Sequence, residues 1–168
     1  MIWFRALLFV LAVQVTVIGV IPLYLAGSGP HIPPGPWAAI GLLPLTVGVL
    51  ALIWCNWAFV AYGRGTAAPY NPPRVLVAHG LYRYVRNPMY VAAVLVDVGL
   101  ALWTGSLVVL LYVVVLAVMY NAFVRGYEEP NLRRNFGESY AEYVAAVPRW
   151  IPRLRPWPGP QINGVRLH

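Results

Sequence analysis

Two short stretches of this chain hold most of the residues able to do chemistry. The first is His79-Gly80-Leu81-Tyr82-Arg83-Tyr84-Val85-Arg86-Asn87-Pro88-Met89-Tyr90, which packs three phenols, two guanidiniums, an imidazole and an amide against the start of an apolar run. Holding lipid headgroups would not require such variety. Pro88 suits the first turn of a helix, so Asn87 is a candidate N-cap and free backbone N–H groups lie beside Arg86, where anions bind well. The second stretch is Glu128-Glu129, directly after another apolar run. Adjacent carboxylates repel, and the C-terminal end of a helix disfavours them, so a cation should compensate. Arg133, at i,i+4 from Glu129, is one candidate, and a cationic ligand is the other. The two stretches together suit opposite ends of one zwitterion.

The elements that position these stretches are apolar. Of 168 residues, 60% are hydrophobic and 10% charged, and mean hydropathy is +0.66, which points to lipid as the solvent. Four spans are expected, at residues 4–26, 37–62, 88–103 and 106–124, the last two forming a helical hairpin turned by Thr104, Gly105 and Ser106. A signal peptide is the rival reading of the first run, but that run exceeds an ordinary h-region and no convincing cleavage site follows it. The linkers are a Pro/Gly-rich loop at 27–36, a polar loop at 63–87 and a tail at 125–168. In the tail, Leu132, Phe136, Tyr140, Tyr143 and Val147 recur at steps of three and four, as on a helix lying in the membrane interface. The fold class expected is thus all-α integral membrane, with a C-terminal amphipathic helix and one domain over 1–168.

Arginine distribution orients the chain. All 12 basic residues are arginine against five acids, a net charge of +7, and they collect in the 63–87 loop and the tail. Both segments, and both termini with Arg5, are expected on the cytoplasmic side, in a bacterial inner membrane. Anionic lipid, rather than nucleic acid, is the partner expected for these charges. Cys55 is the lone cysteine, and His31, His79 and His168 are widely spaced, so neither an intrachain disulfide nor a metal site is expected. Asp97 interrupts the third apolar run, either as a protonated carboxyl bonded to a neighbouring helix or as a substrate-pocket residue, with Asn56 and Asn121 as candidate partners.

S-Adenosylmethionine, with its ammonium, sulfonium and carboxylate, fits the zwitterion both stretches call for. In order along the chain, Gly80, Tyr82, Arg86, Pro88 and Tyr90, then Glu128, Glu129, Leu132, Phe136, Gly137, Tyr140, Tyr143, Pro148, Arg149 and Trp150, resemble the two motifs of the isoprenylcysteine carboxyl methyltransferases and related phospholipid methyltransferases. Asn87 departs from the histidine of the eukaryotic members; an amide donates and accepts hydrogen bonds but is no general base, so it positions the cofactor or caps the helix. The resemblance implies methyl transfer from S-adenosylmethionine to a lipophilic or small acceptor (carboxylate, thiol or amine) at the cytoplasmic membrane face. It implies a cofactor site of His79, Gly80, Tyr82, Arg86, Asn87, Pro88, Tyr90, Glu128 and Glu129, with Arg86, Glu128 and Glu129 closest to the chemistry. Asp97, Arg133, Arg134 and Arg149 are candidates for the substrate. The alternative is a non-catalytic membrane protein that binds a lipid headgroup or an assembly partner in the same pocket.

Overall fold

Prolines and glycines set the helix boundaries. The structure, a computed structural model, describes residues 10–33, 35–62 and 76–159, together with Phe4, Leu8 and the backbone of 161–162 and 165–166. Arg5, His168 and most of the 63–87 loop, with Arg64 and Arg74, lie outside the described residues. The first helix, α1, is π-wound over Val10–Val20 and α-wound over Ile21–Ala26; α2 is Pro36–Ala61 and α3 is Pro88–Thr104. Helix α4 (Leu107–Phe123) runs through a π turn (Val124–Glu128) into α5 (Glu129–Ala146), and two-residue strands β1 (Gln161–Ile162) and β2 (Val165–Arg166) pair near the end. Apart from that ladder and an isolated bridge between His31 and Ser106, the regular structure of the described residues is helical.

Helix α2 and the continuous helix Leu107–Ala146 are long and apolar enough to cross a membrane, whereas Ala12–Ala26 and Pro88–Thr104 are shorter apolar helices. Leu43 of α2 and Leu111 of α4 are 68% and 64% exposed, a surface that suits lipid rather than water. Between α2 and α3 the backbones touch. A Cβ at Gly41 would fall 2.6 Å from the Gly99 carbonyl oxygen, and one at Gly48 would fall 2.7 Å from that of Ala92. Small residues at such crossings let dispersion contacts replace the hydrophobic drive that lipid removes.

The expected hairpin forms between α3 and α4. Gly105 ends α3 at a φ of +67°, and Ser106 caps α4 by accepting from Val109 N at 3.3 Å. The loop after α1 closes on this tip, with Ile32 N donating to Gly105 O at 2.8 Å.

Both π-wound stretches end just before a proline. Pro22 has no N–H for the Val17 carbonyl five residues back, and the Tyr112 hydroxyl donates to that carbonyl instead, at 2.7 Å. Pro130 has the same deficit, and the π turn upstream carries the helix through without a break. Where the sequence reading ends the last apolar helix at 124, the helix therefore continues to Ala146.

The amphipathic stripe of α5 is used differently from the expectation of a membrane-surface helix. Tyr140, Tyr143 and Val147 bury with Trp157, and Leu132, Phe136, Leu76 and Ala78 pack around them. Gly137, at a φ of +50°, kinks the helix so that its second half turns onto the folded-back tail. The aromatic rings find partners within the protein, so most of the stripe's apolar area is not available to lipid.

Candidate functional site

The loop before α3 is built on a rigid platform. Gly80 adopts a φ of +52° with its α-carbon against the Trp54 indole, where any side chain would overlap the ring. It opens a 3₁₀ turn (Gly80–Arg83) that drops the Tyr82 ring into a layer with Cys55, Ala58 and Val77, edge-on to Phe59 at 5.6 Å. Burial, and then the neighbouring Cys55, pushes the Tyr82 phenol well above its ordinary value. His79 is exposed and stacks on Tyr62 with centroids 4.7 Å apart. Gly80, Tyr82 and His79 thus shape and support the loop.

A tail strap, residues 148–157, is laced to this loop. Arg86 N donates to Pro148 O, Arg153 N to Tyr84 O and Trp157 N to Arg83 O, each at 2.9 Å. The Tyr143 hydroxyl donates to Tyr82 O at 2.6 Å. Asn87 occupies the N-cap position of α3, ahead of the buried Pro88, but its side chain does not cap the helix. Its amide donates to Arg149 O at 3.2 Å and so ties loop to strap.

Adjacent on a helix, the two glutamates point to different partners. Arg149 grips Glu129 with two hydrogen bonds, Nε to Oε1 at 2.6 Å and Nη2 to Oε2 at 2.9 Å, while Arg86 Nη1 lies 3.1 Å from Oε1. The i,i+4 pair with Arg133 expected from spacing is replaced, because two guanidiniums from other segments reach the carboxylate with better geometry. Burial alone would raise the Glu129 carboxyl, but the Arg149 hydrogen bond and the charges of Arg86, Arg149 and Arg133 outweigh it and hold the group below its ordinary value. Glu128 Oε2 accepts from the Tyr90 hydroxyl at 2.9 Å. Burial first, and then the Glu129 charge, pushes Glu128 up, and the Tyr90 hydrogen bond opposes this only in part. Arg86 has an 8% exposed side chain whose Nε and Nη1 have no aligned hydrogen-bond acceptor among the described residues, although Nη1 is within ion-pair range of Glu129. An anion would complete that guanidinium.

Tyr90 joins this polar site to an apolar cavity of about 350 Å³ between α1, α3 and α4. Its ring lies 4.6 Å from Tyr120 and 6.4 Å from Trp150, whose indole N–H donates to Asn121 Oδ1 at 3.2 Å. Tyr120 and Gln14 also line the cavity, and sequence reasoning singled out neither. The one signal was Gln14 as a polar break in the first apolar run. Its amide exchanges hydrogen bonds with Asn56 at 2.8 and 3.3 Å.

The remaining candidates are spread out. Asp97 is fully buried one turn beyond Ala93, and neither carboxyl oxygen has a hydrogen-bond partner among the described residues. Asn56 and Asn121, expected to serve it, are bonded to Gln14 and Trp150 instead, because those groups share their level in the helices. Arg133 and Arg134 are exposed on α5, Arg133 with its guanidinium 6.0 Å from the Tyr140 ring and Arg134 bonded to Pro130 O and Asn131 on its own helix. Of the candidate substrate arginines only Arg149 reaches the polar site. Among the described residues no group of three or more His, Cys, Asp or Glu is placed to hold a metal ion.

Residues 37–139 match the family model for phospholipid methyltransferases. Over 126 residues the chain is 32% identical to the cobalt-zinc-cadmium resistance protein CzcN of Cupriavidus metallidurans, which covers 71% of this chain and 53% of that protein. It is 36% identical over 89 residues to the protein-S-isoprenylcysteine O-methyltransferase of Schizosaccharomyces pombe, covering 52% of this chain and 37% of that enzyme. An uncharacterized protein of Haemophilus influenzae is 32% identical along its whole length, which is 38% of this chain. The chain therefore spans about half the length of the first relative and just over a third of the second. No solved structure matches it. With the loop before α3 and the glutamate pair both inside the matched region, the chain belongs to the phospholipid methyltransferase family, among whose relatives is an isoprenylcysteine methyltransferase.

Proposed function

We propose that this protein transfers a methyl group from S-adenosylmethionine to a lipophilic or small acceptor at the cytoplasmic face of a membrane that it crosses four times. The observation that carries the reading is Tyr90, whose ring lines the apolar cavity while its hydroxyl holds Glu128 in the polar site. A donor on the polar side and an acceptor on the apolar side would meet at that ring.

The chain's groups fit the cofactor. Arg86, with two unaligned buried N–H groups, would take the carboxylate; Glu128, whose one hydrogen bond comes from a phenol, would take the ammonium. Glu129 is already neutralised by Arg86 and Arg149, so its part is to hold Arg86 and the strap in place. When bound, S-adenosylmethionine supplies a methyl group on a sulfonium, and the electron pair of its S–CH₃ bond stays on sulfur as the acceptor's lone pair forms the new bond. The protein's share is orientation and exclusion of water, which Tyr90, Tyr120 and the strap provide. For an amine acceptor, Glu128 or Glu129 would be the nearest candidate to receive the proton, and Glu128, which no guanidinium among the described residues neutralises, suits that role better.

Topology supports the same face for all these groups. Loop and strap are laced together at one end of the bundle, while the arginine-free loop after α1 closes on the Gly105 tip at the other. By the arginine rule the laced end is cytoplasmic, as are both termini, in a bacterial inner membrane, and the whole chain acts as one domain.

The test is equilibrium binding of S-adenosylmethionine to the purified protein in lipid nanodiscs. Arg86→Ala and Glu128→Gln should each weaken binding about tenfold or more, the loss expected for one charge-assisted hydrogen bond. No saturable binding by the folded wild type would leave a headgroup-binding membrane protein as the reading.

A further inference from the structure

The strap over the site carries two apolar side chains with no cover among the described residues: Ile151 is 78% exposed and Leu154 is 99% exposed. Neither belongs to an apolar helix. Their depth is set by Trp150, which is bonded to Asn121 in the last turn of α4 and lies against Tyr90 in the first turn of α3. The strap therefore sits at the rim where two apolar helices end, which is the level of lipid headgroups. Helix α5 leaves this role open, since most of its apolar stripe is turned inward.

Charge matches the level. Arg149 and Arg153 are bonded within the protein, to Glu129 and to Ala146 O, whereas Arg155, next to Leu154, and Arg125, two residues past α4, are exposed. Two bare aliphatic side chains beside the exposed Arg155, at the rim where the apolar helices end, suit an anionic bilayer. Resting on the reading of the chain as a membrane methyltransferase, we propose that the strap docks on the anionic lipid leaflet, with Ile151 and Leu154 entering the headgroup boundary and Arg155 on the phosphates. Because the strap also supplies Arg149 to Glu129 and a carbonyl to Asn87, the lipid contact holds the cofactor site closed.

The test places an environment-sensitive fluorophore at Ile151→Cys or Leu154→Cys in nanodiscs of phosphatidylcholine with phosphatidylglycerol, with Glu138→Cys on the exposed part of α5 as reference. Cys55 is fully buried and should not label. Nitroxide lipids with a shallow quencher should quench labels at 151 and 154 several-fold more than at 138. The double variant Ile151→Asp/Leu154→Asp should bind S-adenosylmethionine about fivefold more weakly than wild type in these discs, the order expected from one lost surface contact. Quenching at 151 and 154 no greater than at 138 overturns the docking, whatever the cofactor does. Strong quenching in a folded protein that binds no S-adenosylmethionine keeps the docking and removes the methyltransferase reading. Unchanged affinity in the double variant removes the coupling to the site.

Discussion

At the scale of single residues, Glu128 and Glu129 show how one peptide bond separates two roles. Successive side chains on a helix point about 100° apart, so Glu129 meets Arg86 and Arg149 while Glu128 meets Tyr90. Their protonation then runs in opposite directions. Glu129, held below its ordinary value of 4.5, contributes stability that is present above that pH and lost only as pH falls through its lower folded value. Glu128, pushed above 4.5, loses its charge while the solution is still less acidic. If it holds a cationic group of the cofactor, wild-type affinity should fall as the pH is lowered, beginning while the solution is still above pH 4.5, and the weakened Glu128→Gln variant should be flat over the same range. Titration calorimetry across these pH values reads the difference. A wild-type profile parallel to the variant's would take Glu128 out of the cofactor site.

At the scale of elements, the site depends on how closely α2 and α3 approach, because α2 carries the Trp54–Phe59 platform and α3 carries Tyr90. Gly48 sits against the backbone of α3, with the Ala92 oxygen and the Val96 amide both within 2.9 Å of a Cβ built there. Backbone cannot move aside as a flexible side chain can. Gly48→Val should therefore cost about 1–3 kcal/mol of stability through overpacking, and Gly19→Ala, with nothing within 4 Å of the added carbon, should cost little. Thermal unfolding in detergent compares the two; equal midpoints would mean that the helices part at no cost. The π turn is the other decisive element. Without it, Pro130 would bend or end the helix beside the glutamates.

At the scale of the whole molecule, a polar site and an apolar cavity share one wall, Tyr90. Filling the cavity should then affect one half of the function and spare the other. Ala93 is 2% exposed and lines the cavity one turn from Tyr90. Ala93→Phe should leave S-adenosylmethionine affinity within about twofold while lowering methyl transfer at least about tenfold, as expected when a substrate loses its place but the cofactor does not. Equal loss of both would place the cavity inside the cofactor site.

Local chemistry made much of this readable from residues alone. Four apolar runs, their proline and glycine boundaries and the Gly105 hairpin follow from solvation and backbone sterics, which act over a few residues and need no partner. The pairing of His79–Tyr90 with Glu128-Glu129 was readable as well, since each stretch holds charges that its own neighbours do not satisfy. What lay beyond the sequence was which group satisfies which. Spacing offered Arg133 to Glu129, yet Arg149, twenty residues on, takes it because the tail folds back. Spacing also gave the α5 stripe to the membrane surface, yet Trp157 covers much of it. The cavity, Tyr120 and the Gln14–Asn56 pair arise only where α1 meets the other helices. Long-range contacts like these are decided by competition among many possible partners, and only the tertiary structure, by setting distances between remote segments, selects one.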